Sequence, residues 1–182
     1  MKTVFMVMAL AVMANVLNAS ETRTEVTRAT TPADDSKPNS DKVPDVYPIE
    51  GKFERVVVLR FKYQADLLNG LESMVKQQKI RNAVILSGIG SVRGYHVHSV
   101  VNRTFPSKDV YVKDPEAPAD IVSMNGYVID GRVHAHITLA NPDKAFGGHL
   151  EPGTSVFTFA IVTLGVMDEK ADFTHLDDKT YR

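Results

Sequence analysis

Asp130-Gly131 separates two strand-like runs, Ile121 to Ile129 and Arg132 to Leu139, and it narrows the possible folds more than any other feature of the chain. An Asp-Gly pair favours a two-residue type I′ turn, whose twist matches that of paired antiparallel strands. The second run alternates. Val133, Ala135, Ile137 and Leu139 take one face, and His134, His136 and Thr138 take the other, as side chains of a strand must. The apolar face has to be covered by a core, so the hairpin predicts an antiparallel sheet with one dry side.

Other segments extend that sheet. Phe53 to Tyr63 is β-branched and aromatic and predicts a strand. Asp66 can cap a helix running to Gln78, because Leu67, Leu68, Leu71, Met74 and Val75 recur at helical spacing. Ala83 to Leu86 is a short apolar run that predicts a buried strand entering a tight loop at Ser87-Gly88-Ile89-Gly90. Gly94 to Val101 alternates and predicts another strand, with a shorter one at Val110 to Val112 inside a Pro-rich excursion. Asn141 to Gly153 carries Pro and Gly and reads as a loop, and Phe157 to Val166 as a final long strand. One main helix among six or so strands predicts an α+β fold with a mainly antiparallel sheet.

The flanks are a different polymer. Lys2 followed by the apolar run Val4 to Leu17, with small residues at Ala19 and Ser20, has the pattern of a secretory leader, residues 1–19. Its 14 apolar-run positions fall short of the roughly 20 residues of a membrane span, so no stable membrane insertion is expected once the leader is cleaved. The expected location is secreted or periplasmic. Residues 20–46 are rich in Thr, Ser, Pro and Asp and lack aromatics, which predicts a flexible linker. Residues 47–166 form the folded domain, and 167–182 are charged and read as a surface tail.

Charge and composition exclude several function classes. The linker holds six acidic and four basic residues. Removing these and Lys2 from the chain's 22 acidic and 21 basic residues leaves 16 of each in the rest. A balanced domain lacks the basic footprint of a nucleic-acid binder. The group Arg55, Lys76, Lys79 and Arg81 is the one local patch that could serve. With no Cys in the chain, disulfides, thiol nucleophiles and thiolate metal sites are excluded.

Histidine is then the residue that can carry chemistry. His134 and His136 share one sheet face, and His149 follows Gly147-Gly148, a pair that lets the backbone turn sharply and carry a third imidazole over the strands. Three imidazoles suit zinc or a similar divalent ion, with a fourth position left open for water or a small ligand. The competing reading is that these are polar residues on a solvated face. His96 and His98 form a second pair with no third partner in view and read as structural. His175 sits in the tail. A cupin also uses His-x-His on a strand, but it expects a following Glu and a Pro-x-Gly before its last His. Neither is present here.

These residues also carry a family resemblance. Gly131-Arg132-Val133-His134-Ala135-His136-Ile137-Thr138-Leu139, then Gly147-Gly148-His149-Leu150 and an apolar strand, closely resemble the PPC (plants and prokaryotes conserved) domain, also found behind AT-hooks in plant nuclear proteins. Leu59-Arg60, the helix, and Leu86-Ser87-Gly88-Ile89-Gly90-Ser91-Val92 resemble that domain's strand–helix–strand opening. The resemblance spans roughly Arg55 to Val166. It implies a curved antiparallel sheet, a homotrimer, and a metal, zinc, held at His134, His136 and His149. No Arg-Gly-Arg-Pro core occurs, so the AT-hook is absent.

Three functions follow as expectations. The first is a secreted or periplasmic trimeric module binding zinc through three His, with a small-molecule ligand at the open position. A hydrolytic use of a metal-activated water would make Glu151 the nearest candidate base, although Glu151 reads more simply as a solvated loop carboxylate. Enzyme activity is therefore not assigned. The second is DNA binding, as the family label suggests. The third is a structural or interaction module without metal.

Overall fold

The computed structural model describes residues 22–26, 43–103 and 107–177. The leader lies outside them, as does all of the linker except residues 22–26 and 43–46. The elements in chain order are β1 (Thr22–Val26), β2 (Phe53–Phe61), α1 (Leu67–Gln77), β3 (Ala83–Val100), β4 (Asp109–Asp114), β5 (Ala119–Ile129), β6 (Arg132–Ala140), β7 (Ala145–Leu150) and β8 (Ser155–Met167). One helix lies against a sheet in which every strand pairing is antiparallel. This is the α+β architecture the pattern predicts. β1 falls in the stretch read as linker and pairs with β4.

The turn at the centre of the sequence reading has the expected form. Asp130 and Gly131 both have positive φ, 49° and 79°, as a type I′ turn requires, and Val128 pairs with Val133 behind it. Asp66 caps α1, its Oδ1 accepting from the Asn69 amide at 2.9 Å. Its Oδ2 accepts from the Gly153 amide at 2.6 Å, so the same carboxylate ties the helix start to the loop after β7. Leu67, Leu71 and Val75 on α1 pack into a core with Ile85, Met124, Ile137, Leu139, Leu150 and Leu164.

Three sequence expectations are corrected. The tight loop at Ser87 to Gly90 does not exist, because β3 runs unbroken from Ala83 to Val100, with irregular register against β8. Its glycines answer to close approach. A Cβ on Gly88 would lie 2.4 Å from Met124 Cβ, and one on Gly90 would lie 2.3 Å from the Phe159 carbonyl. The Asn141 to Gly153 loop likewise contains a strand, β7, inserted between β6 and β3. Finally, the tail is not merely surface. Ala171 and Phe173 are buried with Ile129, and Asn82 donates to the Ala171 carbonyl at 2.9 Å.

The insertion of β7 closes the sheet. β3 pairs with β5 through its first half and with β7 through its second, while β5 pairs with β6 and β6 with β7. Gly147 and Gly148 make room for it. A Cβ on Gly147 would meet the Ile137 carbonyl at 2.0 Å, and one on Gly148 the His98 carbonyl at 2.3 Å. At Gly131, in contrast, an added Cβ meets nothing within 4 Å, so alanine there costs only the left-handed backbone. In denaturant unfolding, Gly131→Ala should lose about 1 kcal/mol. Gly147→Ala should lose about 3 kcal/mol, because backbone must move.

Candidate metal centre

The site is a row of side chains laid across five strands. Tyr111 of β4 stands opposite His98 of β3, His98 opposite His149 of β7, His149 opposite His136 of β6, and His136 opposite Asn125 of β5. His134 lies two residues before His136 on the same face. Alternation puts their neighbours Val97, Ala135, Ile137 and Leu150 into the core, so the imidazoles are held on the opposite side by the packing itself.

Ring spacing defines the cluster. The centres of His134 and His149 are 4.9 Å apart, those of His136 and His149 5.4 Å, and those of His134 and His136 5.5 Å. A tetrahedral zinc bonded to imidazole nitrogens at about 2 Å would hold ring centres about 5 Å apart, although His134 and His136 lie nearly parallel, at 24°, and would have to turn for their nitrogens to converge. Among the described residues, the group whose donor atoms lie within 4.8 Å of one another and could hold a metal ion is His98, His149 and Glu151. His98 stacks on His149 with ring centres 4.6 Å apart. The sequence reading missed His98 because its partner strand, β7, was read as loop. The pairing of His98 with His149 had no local signal.

Carboxylates border the rings. His98 Nδ1 lies 2.6 Å from Glu151 Oε1. Glu151 is placed by its own amide, which donates to the His96 carbonyl at 3.0 Å, and it is not the solvated loop residue that sequence suggests. Its side chain and those of His98 and His149 are only about a fifth exposed, at 19%, 20% and 22%. His149 Nδ1 is buried and has no hydrogen-bond partner. The nearest carboxylate oxygen, Glu151 Oε1, is 3.5 Å away. A buried ring nitrogen without a partner is costly, so His149 is not a polar residue of a solvated face. His96 stays structural, its Nδ1 meeting the Pro152 carbonyl at 2.8 Å.

Beside His134 and His136 opens a cleft of about 450 Å³, lined also by Ile85, Asn125, Tyr127 and Leu176. Elsewhere, Arg55, Lys79 and Arg81 share a second cleft with Glu54, Asp168 and Glu169, and Arg81 pairs with Asp130 at 3.1 Å. The basic group is therefore interleaved with acids.

Two of the imidazoles, His136 and His149, are biased toward the neutral form. His149 is lowered from its usual value of 6.5 by burial first and by the neighbouring His98 and His134, with Glu151 opposing. His136 is lowered by burial first, then by His134 and His98. Depressed histidines take up protons less readily folded than unfolded, so stability rises with pH until about the unfolded value and falls as pH drops through that window. Metal-free protein should therefore melt at a lower temperature at about pH 5 than at about pH 7.5. His149→Phe should flatten that slope in a pH series of thermal melts.

Comparisons agree with the architecture. Residues 49–168 match the family model of the Plants and Prokaryotes Conserved (PCC) domain. Among solved structures, a metal-containing protein from Archaeoglobus fulgidus is 22% identical with a TM-score of 0.58, covering 69% of this chain and 89% of that one. A plant- and prokaryote-conserved protein from Pyrococcus horikoshii is 26% identical with a TM-score of 0.52, covering 70% and 87%. A Ralstonia eutropha protein provisionally called DNA-binding is 18% identical with a TM-score of 0.50, covering 63% and 78%. Two bifunctional GlmU proteins from Synechococcus match over 111 residues at 27% and 26% identity. The match takes in 60% of this chain but only 17% and 16% of their length.

Proposed function

The chain belongs to the Plants and Prokaryotes Conserved domain family, and on that premise we propose that it is a trimeric metal-binding module whose His134, His136 and His149 hold one zinc ion. The observation that carries this reading is the mutual spacing of the three rings, 4.9 to 5.5 Å, across strands that the fold locks in register. The chemistry of the donors supports it, since neutral imidazole suits zinc. Bound there, zinc would supply Lewis acidity to an oxygen-donor ligand. The adjacent cleft, apolar at Ile85 and Leu176 and polar at Asn125, gives a small molecule room beside it.

The trimer is supported by the outer sheet face. Val56 and Val58 on β2, Ile89 on β3 and Phe157 and Phe159 on β8 are large, apolar and 40 to 64% exposed. They share one face of paired strands, with Ile161 of β8 opposite both Arg60 and Ile89. Exposed apolar surface of this kind is covered in stable assemblies. A secreted or periplasmic location rests on the leader pattern of residues 1–19. Among the described residues no helix is long and apolar enough to cross a membrane. The mixed charge around Arg55 and Arg81 argues against nucleic acid as the partner.

Native protein purified without added metal should carry one zinc per chain by elemental analysis and elute at the mass of three chains. His134→Ala, His136→Ala and His149→Ala should each abolish retention of the ion through dialysis while leaving the far-UV spectrum intact. A wild-type chain that is metal-free when isolated, and that binds no zinc on titration, contradicts the reading.

A further inference from the structure

Two of the three proposed ligands turn the same nitrogen toward a carboxylate. His149 Nδ1 faces Glu151 Oε1 at 3.5 Å, and His134 Nδ1 faces Asp177 Oδ2 at 3.6 Å. We infer that Glu151 and Asp177 are positioning residues for the metal centre, each orienting one histidine through Nδ1 so that Nε2 is left for the ion, with His98 fixing Glu151 in place. The inference rests on the three-histidine reading above.

The contact with His98 favours this role over ligation through Oε1. Two ligands bonded to one zinc at about 2 Å stand about 3 Å apart or more. Glu151 Oε1 lies 2.6 Å from His98 Nδ1, too close for an ion between those two atoms and right for a hydrogen bond. That contact leaves the carboxylate anchored on one side and open to His149 on the other. A histidine that binds a metal commonly donates its other ring N–H to a carboxylate, which fixes the tautomer and makes the ligand more basic. The unsatisfied Nδ1 of His149 is the donor such an arrangement needs.

Asp177 comes from outside the family region, which ends at residue 168. The chain positions it all the same. Phe173 is buried and meets Tyr127 edge-on with ring centres 5.9 Å apart, and Tyr127 pairs with His134 across the hairpin. The Leu176 amide donates to the Phe173 carbonyl at 3.0 Å. Arg132 Nη2 then reaches Asp177 Oδ2 at 3.7 Å, so the carboxylate stands between a cation and the histidine. The segment after β8 thus closes one side of the site with a residue of this chain's own.

The test is a zinc titration of the full chain against a chromophoric chelator, with cobalt as a spectroscopic substitute. Asp177→Asn and Glu151→Gln should each weaken zinc about 10-fold or more, keep one ion per chain, and leave the band positions of bound cobalt unchanged. His98→Phe should weaken zinc in the same direction as Glu151→Gln, and the double variant should add little. Unchanged affinity in both carboxylate variants, with wild type binding one ion, overturns this inference while leaving the three-histidine site standing. A cobalt spectrum that changes coordination in Glu151→Gln also overturns it, because Glu151 would then be a ligand. Wild-type protein that binds no ion removes both readings. Because Asp177 lies on the surface, 41% exposed, its variant reports on the site even if substitution at Glu151 disturbs folding.

Discussion

The structure depends on how closely β7 is pressed between β6 and β3. That strand has room only because Gly147 and Gly148 lack side chains where the carbonyls of Ile137 and His98 approach. Remove the fit, and the sheet opens along β7, Leu150 leaves the core, and His149 loses the partners on both flanks. The glycines do not make a turn. They let one imidazole stand between two others, in register, with the backbone hydrogen bonds of a sheet fixing the spacing.

Much of the fold was legible because its signals are local. The Asp130-Gly131 turn, the Asp66 cap and the alternation of Val133 to Leu139 each follow from a few neighbouring residues, and each appears in the structure. What could not be read was long-range. β7 looks like a loop because its glycines and the flanking Asn141-Pro142 and Pro152-Gly153 carry loop chemistry, yet two neighbouring edges supply its hydrogen bonds. β3 looks like two strands joined by a loop because glycines interrupt it, although what they accommodate is close packing against β5 and β8.

The site divides in the same way. His134 and His136 share a face by strand periodicity alone, and a sequence shows that. His149 joins them through pairing of β7 with β6, which the His-x-His and Gly-Gly-His-Leu pattern indicated without its geometry. His98 and Glu151 were named but read as structural and solvated, because only the β3–β7 pairing brings them to His149. Asp177 had no signal at all, since its place depends on Phe173 burying beneath the hairpin. Local pattern found the donors; tertiary packing supplied the groups around them.

The central claim is that one ion sits among His134, His136 and His149, and X-ray absorption at the zinc edge of the native, full-length protein tests it most directly. The account predicts a first coordination shell dominated by imidazole nitrogen at about 2.0 Å, with the multiple-scattering signature of three rings. That signature should fall to two rings in any residual metal bound by His149→Ala. A shell of oxygen donors with one ring or none would contradict it.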